Sequence, residues 1–272
     1  MSTRESRAPG PSPHAGKLER PGIYRRRILI RCTPGEARAD LEDDPHRYAT
    51  VVRHERGRVT AVEGIALRTP WTLCREAVHV LDRLIGMPLC ADPLAVYGFT
   101  DGRAQCTHMF DLAGLAIAFA ARGGMRRQYD IEVPRLAPTG PMQARLWRDG
   151  APVLEWTLND TLITAPEAFA GRNLRGLMPW VRQTFNDPDE YEAIVVLRRG
   201  VFISGSRTYD LDRMANAADT GHTSGACYVF QPGVETNALR VVSATRDFGA
   251  DAKALLADLV EAERDTLRTA GG

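Results

Sequence analysis

From Tyr24 to Cys32 the chain alternates: Ile28 and Ile30 fall on one face and Arg25, Arg27, Leu29 and Arg31 on the other. That period predicts a strand with one mostly basic face. Two further β-rich runs, Tyr48 to His54 and Arg58 to Arg68, flank the charged turn Glu55-Arg56-Gly57 and predict a hairpin. Thr69-Pro70 ends the second run. Thr72 is placed to cap a helix reaching about Ile85, with Ala77, Val80, Leu81 and Leu84 at helical spacing and Gly86 at its stop. A second helix is predicted from about Thr107 to Ala121, burying Leu112, Leu115, Ala116 and Phe119, and Gly123-Gly124 closes this unit.

The following stretch echoes the first. Gln143 to Trp147 and Val153 to Leu158 flank Arg148-Asp149-Gly150, and a helix-like segment near Gly171 to Phe185 again follows. A third hairpin is predicted around Arg198-Arg199-Gly200, joining Tyr191 to Val196 with Val201 to Tyr209. A strand pair is expected at Ala226 to Phe230 and Leu239 to Thr245, and a last helix at about Ala250 to Leu267. The chain therefore reads as α+β, antiparallel hairpins with helices packed on one face, in two related halves. Residues 1–20, rich in Pro and Gly, are expected to be a disordered tail, 21–124 one α+β unit, and 125–272 a second β-rich unit packed into the same globule.

Composition adds exclusions. Of the 35 basic residues only Lys17 and Lys253 are lysines, and the formal net charge is +1, so no basic tract argues for nucleic acid. No apolar run is long enough to cross a bilayer, and a cytoplasmic protein is expected. Five widely spaced cysteines do not form a disulfide pattern. A small molecule is the default partner, and a homodimer is left open. Phosphate loops, GxGxxG, HExxH, CxxC pairs and GxSxG are all absent.

The remaining chemistry sits at element ends. In Cys106-Thr107-His108-Met109-Phe110-Asp111 a helix start favours an anion and lowers a thiol pKa. The same positions also suit plain structure, with Thr107 as cap and Cys106 as a small buried hydrophobe. His46 follows the acidic run Asp40 to Pro45, which is expected to raise its pKa, and Cys74 begins a helix as Cys106 does. Tyr228 is a candidate donor to a substrate oxygen and Arg246 a candidate fork for an anion, with Tyr24, Arg25 and Tyr129 behind them.

Tyr24-Arg25-Arg26-Arg27, Leu41 to His46, Arg68 to Cys74, Cys106-Thr107-His108 and Arg246-Asp247-Phe248 together resemble the bacterial family catalogued as domain of unknown function 2889. That resemblance implies an enzyme in the catabolism of lignin-derived aromatics. Residues 44–122 are also similar in order to iron-sulfur scaffolds of the NifU type, with His46 where a first cysteine would stand and Cys74 and Cys106 near the second and third. Three functions follow. One is a lyase without cofactor that cleaves a carbon-carbon bond of a phenolic aromatic, losing formaldehyde or carbon dioxide. There His46 or His108 is the base, Arg68 or Arg246 the anion binder and Tyr228 a donor, and Tyr24, Tyr129 and Cys106 contact substrate. The second holds zinc or an iron-sulfur cluster on His46, Cys74 and Cys106, and the third is a non-catalytic binding module.

Overall fold

The alternation of the first strand places β1 (Gly22–Thr33) at the middle of one eight-stranded antiparallel sheet. The structure is a computed structural model describing residues 22–135, 140–222 and 224–270. The expected tail at 1–20 lies outside the described residues. β2 (Glu36–Asp43), β3 (Arg47–Glu55) and β4 (Arg58–Arg68) form a meander on one side of β1. On the other side β5 (Arg126–Arg135), β6 (Pro141–Arg148), β7 (Ala151–Asn159) and β8 (Leu162–Ala165) form a second meander. Helical segments follow each: 3₁₀ turns over Thr72–Leu84, then α1 (Val96–Phe99) and α2 (Thr107–Ala121), and after β8 α3 (Leu177–Thr184) and α4 (Pro188–Ser204).

The two predicted charged turns close tight hairpins, with positive φ at both central residues of each, Arg56-Gly57 and Asp149-Gly150. One face of the sheet buries Tyr24, Ile28 and Ile30 of β1, Ala37, Ala39 and Leu41 of β2, and Tyr129, Ile131 and Val133 of β5. α2 and α4 cover it, and Thr50 Oγ1 ties β3 to α2 by donating to the Met109 carbonyl at 3.1 Å. The opposite face carries Arg25, Arg27 and Glu42. The C-terminal segment crosses there: Arg25 donates to the Phe248 and Gly249 carbonyls, Arg27 to the Leu255 carbonyl, and Glu42 accepts from the Leu256 amide. α5 (Ala257–Ala270) follows.

Five expectations need correction. The helix expected to be capped by Thr72 is a run of 3₁₀ turns that follows Trp71 as N-cap, and Cys106 rather than Thr107 stands at the N-cap of α2. The hairpin at Tyr191 to Tyr209 is instead helix α4, started by Pro188 and by Asp187, whose carboxylate accepts from the Asp189 and Glu190 amides. Its β-branched run and Gly200 imitate strand and turn. Gly200 is there for contact, because a Cβ would stand 2.8 Å from Ile131 Cγ2. The strand pair at 226–230 and 239–245 is a 3₁₀ turn (Tyr228–Phe230) and an irregular segment, held by single bridges from Leu239 to Asn216 and from Arg240 to Trp71. The last helix starts at Ala257, since Leu255 and Leu256 are buried in the crossing segment before it.

Candidate active site

Register places Arg26 of β1 opposite Asp43, the last residue of β2. Both lie on the helix-facing side, in phase with Ile28 and Leu41, where a charge is costly unless matched. They match each other: Asp43 Oδ2 accepts from Arg26 Nη2 at 2.5 Å and Nε at 2.9 Å, and from the Tyr24 hydroxyl at 2.7 Å. Its other oxygen accepts from the His46 amide at 2.9 Å and lies 2.8 Å from His46 Nδ1. The β2–β3 turn is thus folded around one carboxylate. Arg68 clamps it from β4, donating to the carbonyls of Asp43 (2.7 Å), His46 (3.1 Å) and Asp44, and to Glu42 Oε1 (3.0 Å).

α2 delivers the second imidazole. Cys106 is its N-cap residue, with extended backbone, and His108 falls in the first turn. The His108 ring lies 3.8 Å from that of His46, centroid to centroid, tilted by 35°. Tyr48 stacks on both, at 5.6 Å from each. Burial raises the Tyr48 hydroxyl well above its ordinary range, with the Cys74 and Cys106 thiols beside it. His108 Nε2 is buried and meets no hydrogen-bond partner among the described residues.

Protonation follows from these contacts. Burial opposes ionisation of Asp43, but His46 and Arg26 outweigh it and hold the carboxyl well below its usual range. An ionised Asp43 only accepts, so His46 Nδ1 carries the proton and the lone pair sits on Nε2. Burial lowers the pKa of His46 despite Asp43, which corrects the expectation that the acidic run raises it. His108 is driven well below the ordinary value by burial, then by His46 and Arg26. Cys106 also departs from expectation: burial pushes its thiol up to about 12, although the Met109 and His108 amides act the other way. A helix start does not activate a thiol that water cannot reach.

The predicted residues divide accordingly. His46, His108 and Tyr24 meet at Asp43, and Arg68 supports them from behind, its Nη1 and Nη2 committed to the turn while its Nε is buried without a partner among the described residues. Cys106 and Cys74 lie beyond Tyr48. Arg246 is on the outside, its side chain 62% exposed and 3.9 Å from Glu42, while its amide holds the Asp44 carbonyl at 2.9 Å. Tyr228 is half-buried, its amide bonded to the Gln105 carbonyl, and no described contact joins its side chain to either histidine. Tyr129 serves another network, donating to Glu192 of α4 at 2.6 Å. No family model matches the chain, and no curated protein does. The likeness to the family of unknown function rests on its residue motifs alone.

Three participants were missed in the sequence. Asp43 was read only as part of an acidic run, Arg26 only as part of a basic one, and Tyr48 only as a strand residue. The signal was their phase, since Arg26 keeps step with Ile28 and Ile30, on the face that must be apolar. Asp43, His46 and His108 offer ligand atoms within 4.8 Å of one another, and among the described residues theirs is the one such group. The set His46, Cys74 and Cys106 forms no such group among the described residues. Alongside the histidines a cleft opens between α2 and α4, lined by Arg26, Leu41, His108, Asp111, Val196 and Arg199 among others.

Proposed function

We propose that the protein is an enzyme that moves protons with His46 and His108, a carbon-carbon lyase of lignin-derived phenolics whose substrate the family resemblance suggests. The observation that carries the reading is the buried pair of imidazoles, one fixed in its tautomer by an ion-paired aspartate and the other left with a free, buried Nε2. Both are neutral near pH 7, which is the form a general base needs. A phenol with a benzylic hydroxyl loses that hydroxyl as water to form a quinone methide, and where a hydroxymethyl group stands next to the methide carbon the base takes its hydroxyl proton. The carbon-carbon bond then breaks, formaldehyde leaves, and the electron pair passes through the methide to the ring oxygen as phenolate. Tyr24 and Arg26 act on Asp43, and Asp43 on His46, as positioning residues.

A divalent metal on Asp43, His46 and His108 is the second reading, favoured by their spacing. The donor set has a single negative charge, and Arg26 already neutralises it at 2.5 Å, so a bound dication would bring uncompensated positive charge into the core. Proton transfer fits the charge balance better. Purified protein incubated with a panel of phenolic dimers bearing hydroxymethyl groups is expected to release formaldehyde. His46→Gln and His108→Gln should abolish release, and Asp43→Asn should lower it by roughly 10⁴-fold through loss of the tautomer. No release from any panel member would overturn the lyase, and stoichiometric metal with chelator-sensitive turnover would favour the second reading.

A further inference from the structure

Asp111 stands one turn along α2 from His108, so the two side chains leave the same side of the helix, and both line the cleft between α2 and α4. Each brings a buried atom that makes no hydrogen bond among the described residues, His108 Nε2 and Asp111 Oδ2. Arg199 of α4 fixes the carboxylate. Its Nη2 donates to Asp111 Oδ1 at 3.1 Å and to the Tyr97 hydroxyl at 2.9 Å, and that hydroxyl donates to Oδ1 at 2.7 Å. Arg199 Nε lies 2.6 Å from Oδ2, close enough to match it in charge, but its N–H is turned too far aside to make a hydrogen bond. Much of the remaining wall is apolar, Ile28, Leu41, Leu112 and Val196 among it. About 20 Å³ of the cleft is open to the centre of a water molecule, room for one and little more. Two polar atoms without a partner, on a space of that size between apolar side chains, are what holds a buried water in place.

We propose that a single water occupies this space, bridging His108 Nε2 and Asp111 Oδ2, and that Asp111 is the exit for protons taken up by the histidines. The inference rests on His46 and His108 being the proton-moving pair. Once formaldehyde has left, the pair holds the proton of the hydroxymethyl group and must lose it before another turnover. His108 Nε2–H gives that proton to the water oxygen, the water gives one of its own to Asp111 Oδ2, and the carboxyl, its side chain 17% exposed, releases it to solvent. One N–H and one water O–H bond break, and one water O–H and one carboxyl O–H bond form. Burial, then His46 and Arg26, makes His108 a weak holder of a proton, which favours the first transfer. Asp111 is a relay residue behind the chemistry, and Arg199 and Tyr97 position it.

The water is tested without any substrate. A crystal structure of the full chain that orders buried solvent is expected to show one water within hydrogen-bond distance of both atoms, and an empty or dry space there would overturn the proposal. The relay is tested by the kinetics of formaldehyde release. Asp111→Asn keeps the shape of the side chain but cannot take the proton, and kcat should fall roughly 10²-fold, the low end of what a positioned proton transfer contributes. kcat/KM should hold, because proton exit follows the loss of formaldehyde, and the solvent deuterium isotope effect on kcat should rise as exit becomes the slow step. Val196→Phe fills the space from α4, excludes the water and keeps both charges, so it should lower kcat in the same way even if Asp111→Asn fails to fold. An unchanged kcat, or equal falls in kcat and kcat/KM, in the folded variants would mark Asp111 as structural and overturn the relay. Formaldehyde release by a protein without the bridging water would refute this inference and leave the lyase standing. A bridging water in a protein that releases no formaldehyde would overturn the lyase and its relay and leave the water site standing.

Discussion

Asp43→Asn isolates the energetic centre of the site. The carboxamide keeps the shape of the side chain, so no cavity forms, and the change removes only a charge. Asp43 is fully buried and Arg26 is 2% exposed, so the guanidinium is left uncompensated where water does not reach it. Breaking a buried pair from one side costs about 3–5 kcal/mol. For a chain of this size that lowers Tm by roughly 6–20 °C, at about 2–4 °C per kcal/mol. Urea unfolding followed by circular dichroism measures it, with an unchanged m-value showing that the denatured state is the same. Arg26→Met should cost a similar amount, and the double variant clearly less than the sum, because neither charge is then stranded. A loss under about 1 kcal/mol for Asp43→Asn, the size expected of a surface pair, would refute the reasoning, since it would mean that water screens the pair.

Acid should destabilise the protein through its histidines. The native pKa of His46 and of His108 lies below the ordinary value of 6.5, so as pH falls through that value the unfolded chain takes up protons first and stability drops. Asp44 works the other way: burial raises its carboxyl to about 6, so the native state binds its proton first and this group adds stability as pH falls from 6 towards 4. Tm measured from pH 7.5 to 5 should therefore decline, and decline less in His108→Gln; an equal decline in both would count against a depressed His108. Ellman's reagent at pH 8 should leave Cys74 and Cys106 unmodified in native protein while titrating all five thiols in urea, and rapid labelling of Cys106 would contradict its burial. Gly114→Ala should destabilise by about 1–3 kcal/mol by overpacking, despite alanine's higher helix propensity, because the added methyl would strike the Pro93 carbonyl; a neutral or higher Tm would show that the 93–94 segment yields freely.

The hairpin turns, β1, β4 and α2 were legible because pattern and turn chemistry agree there. β2 was not, since its inward residues are Ala37, Ala39, Leu41 and Asp43, too small or too charged to register as an apolar face. β5 escaped because Arg126, Arg127, Asp130, Glu132 and Pro134 obscure the clean alternation of Tyr129, Ile131 and Val133. α4 was read as strands because Val195-Val196 and Gly200 match hairpin rules, and only the Asp187-Pro188 start decides otherwise. For the site, His46 and His108 were visible as residue types, but their meeting depends on a turn folding back on Asp43 and a helix crossing from 60 residues later. Cys106 lacks the lowered pKa expected of a helix start for a reason local rules omit, the depth at which its helix begins.

The segment that crosses the polar face has a consequence for synthesis. Arg25 and Arg68 find carbonyl acceptors at Phe248, Gly249 and Ala244, and Asp44 finds the amide of Phe248 and the guanidinium of Arg207. β1 is thus finished by residues more than 200 positions further along the chain. Contacts spanning more than 200 positions make for slow, late folding. A nascent chain abandoned before residue 244 carries both histidines and their aspartate, yet lacks the segment that steadies their turn. The geometry of the histidine pair is then set only once that distant segment has docked.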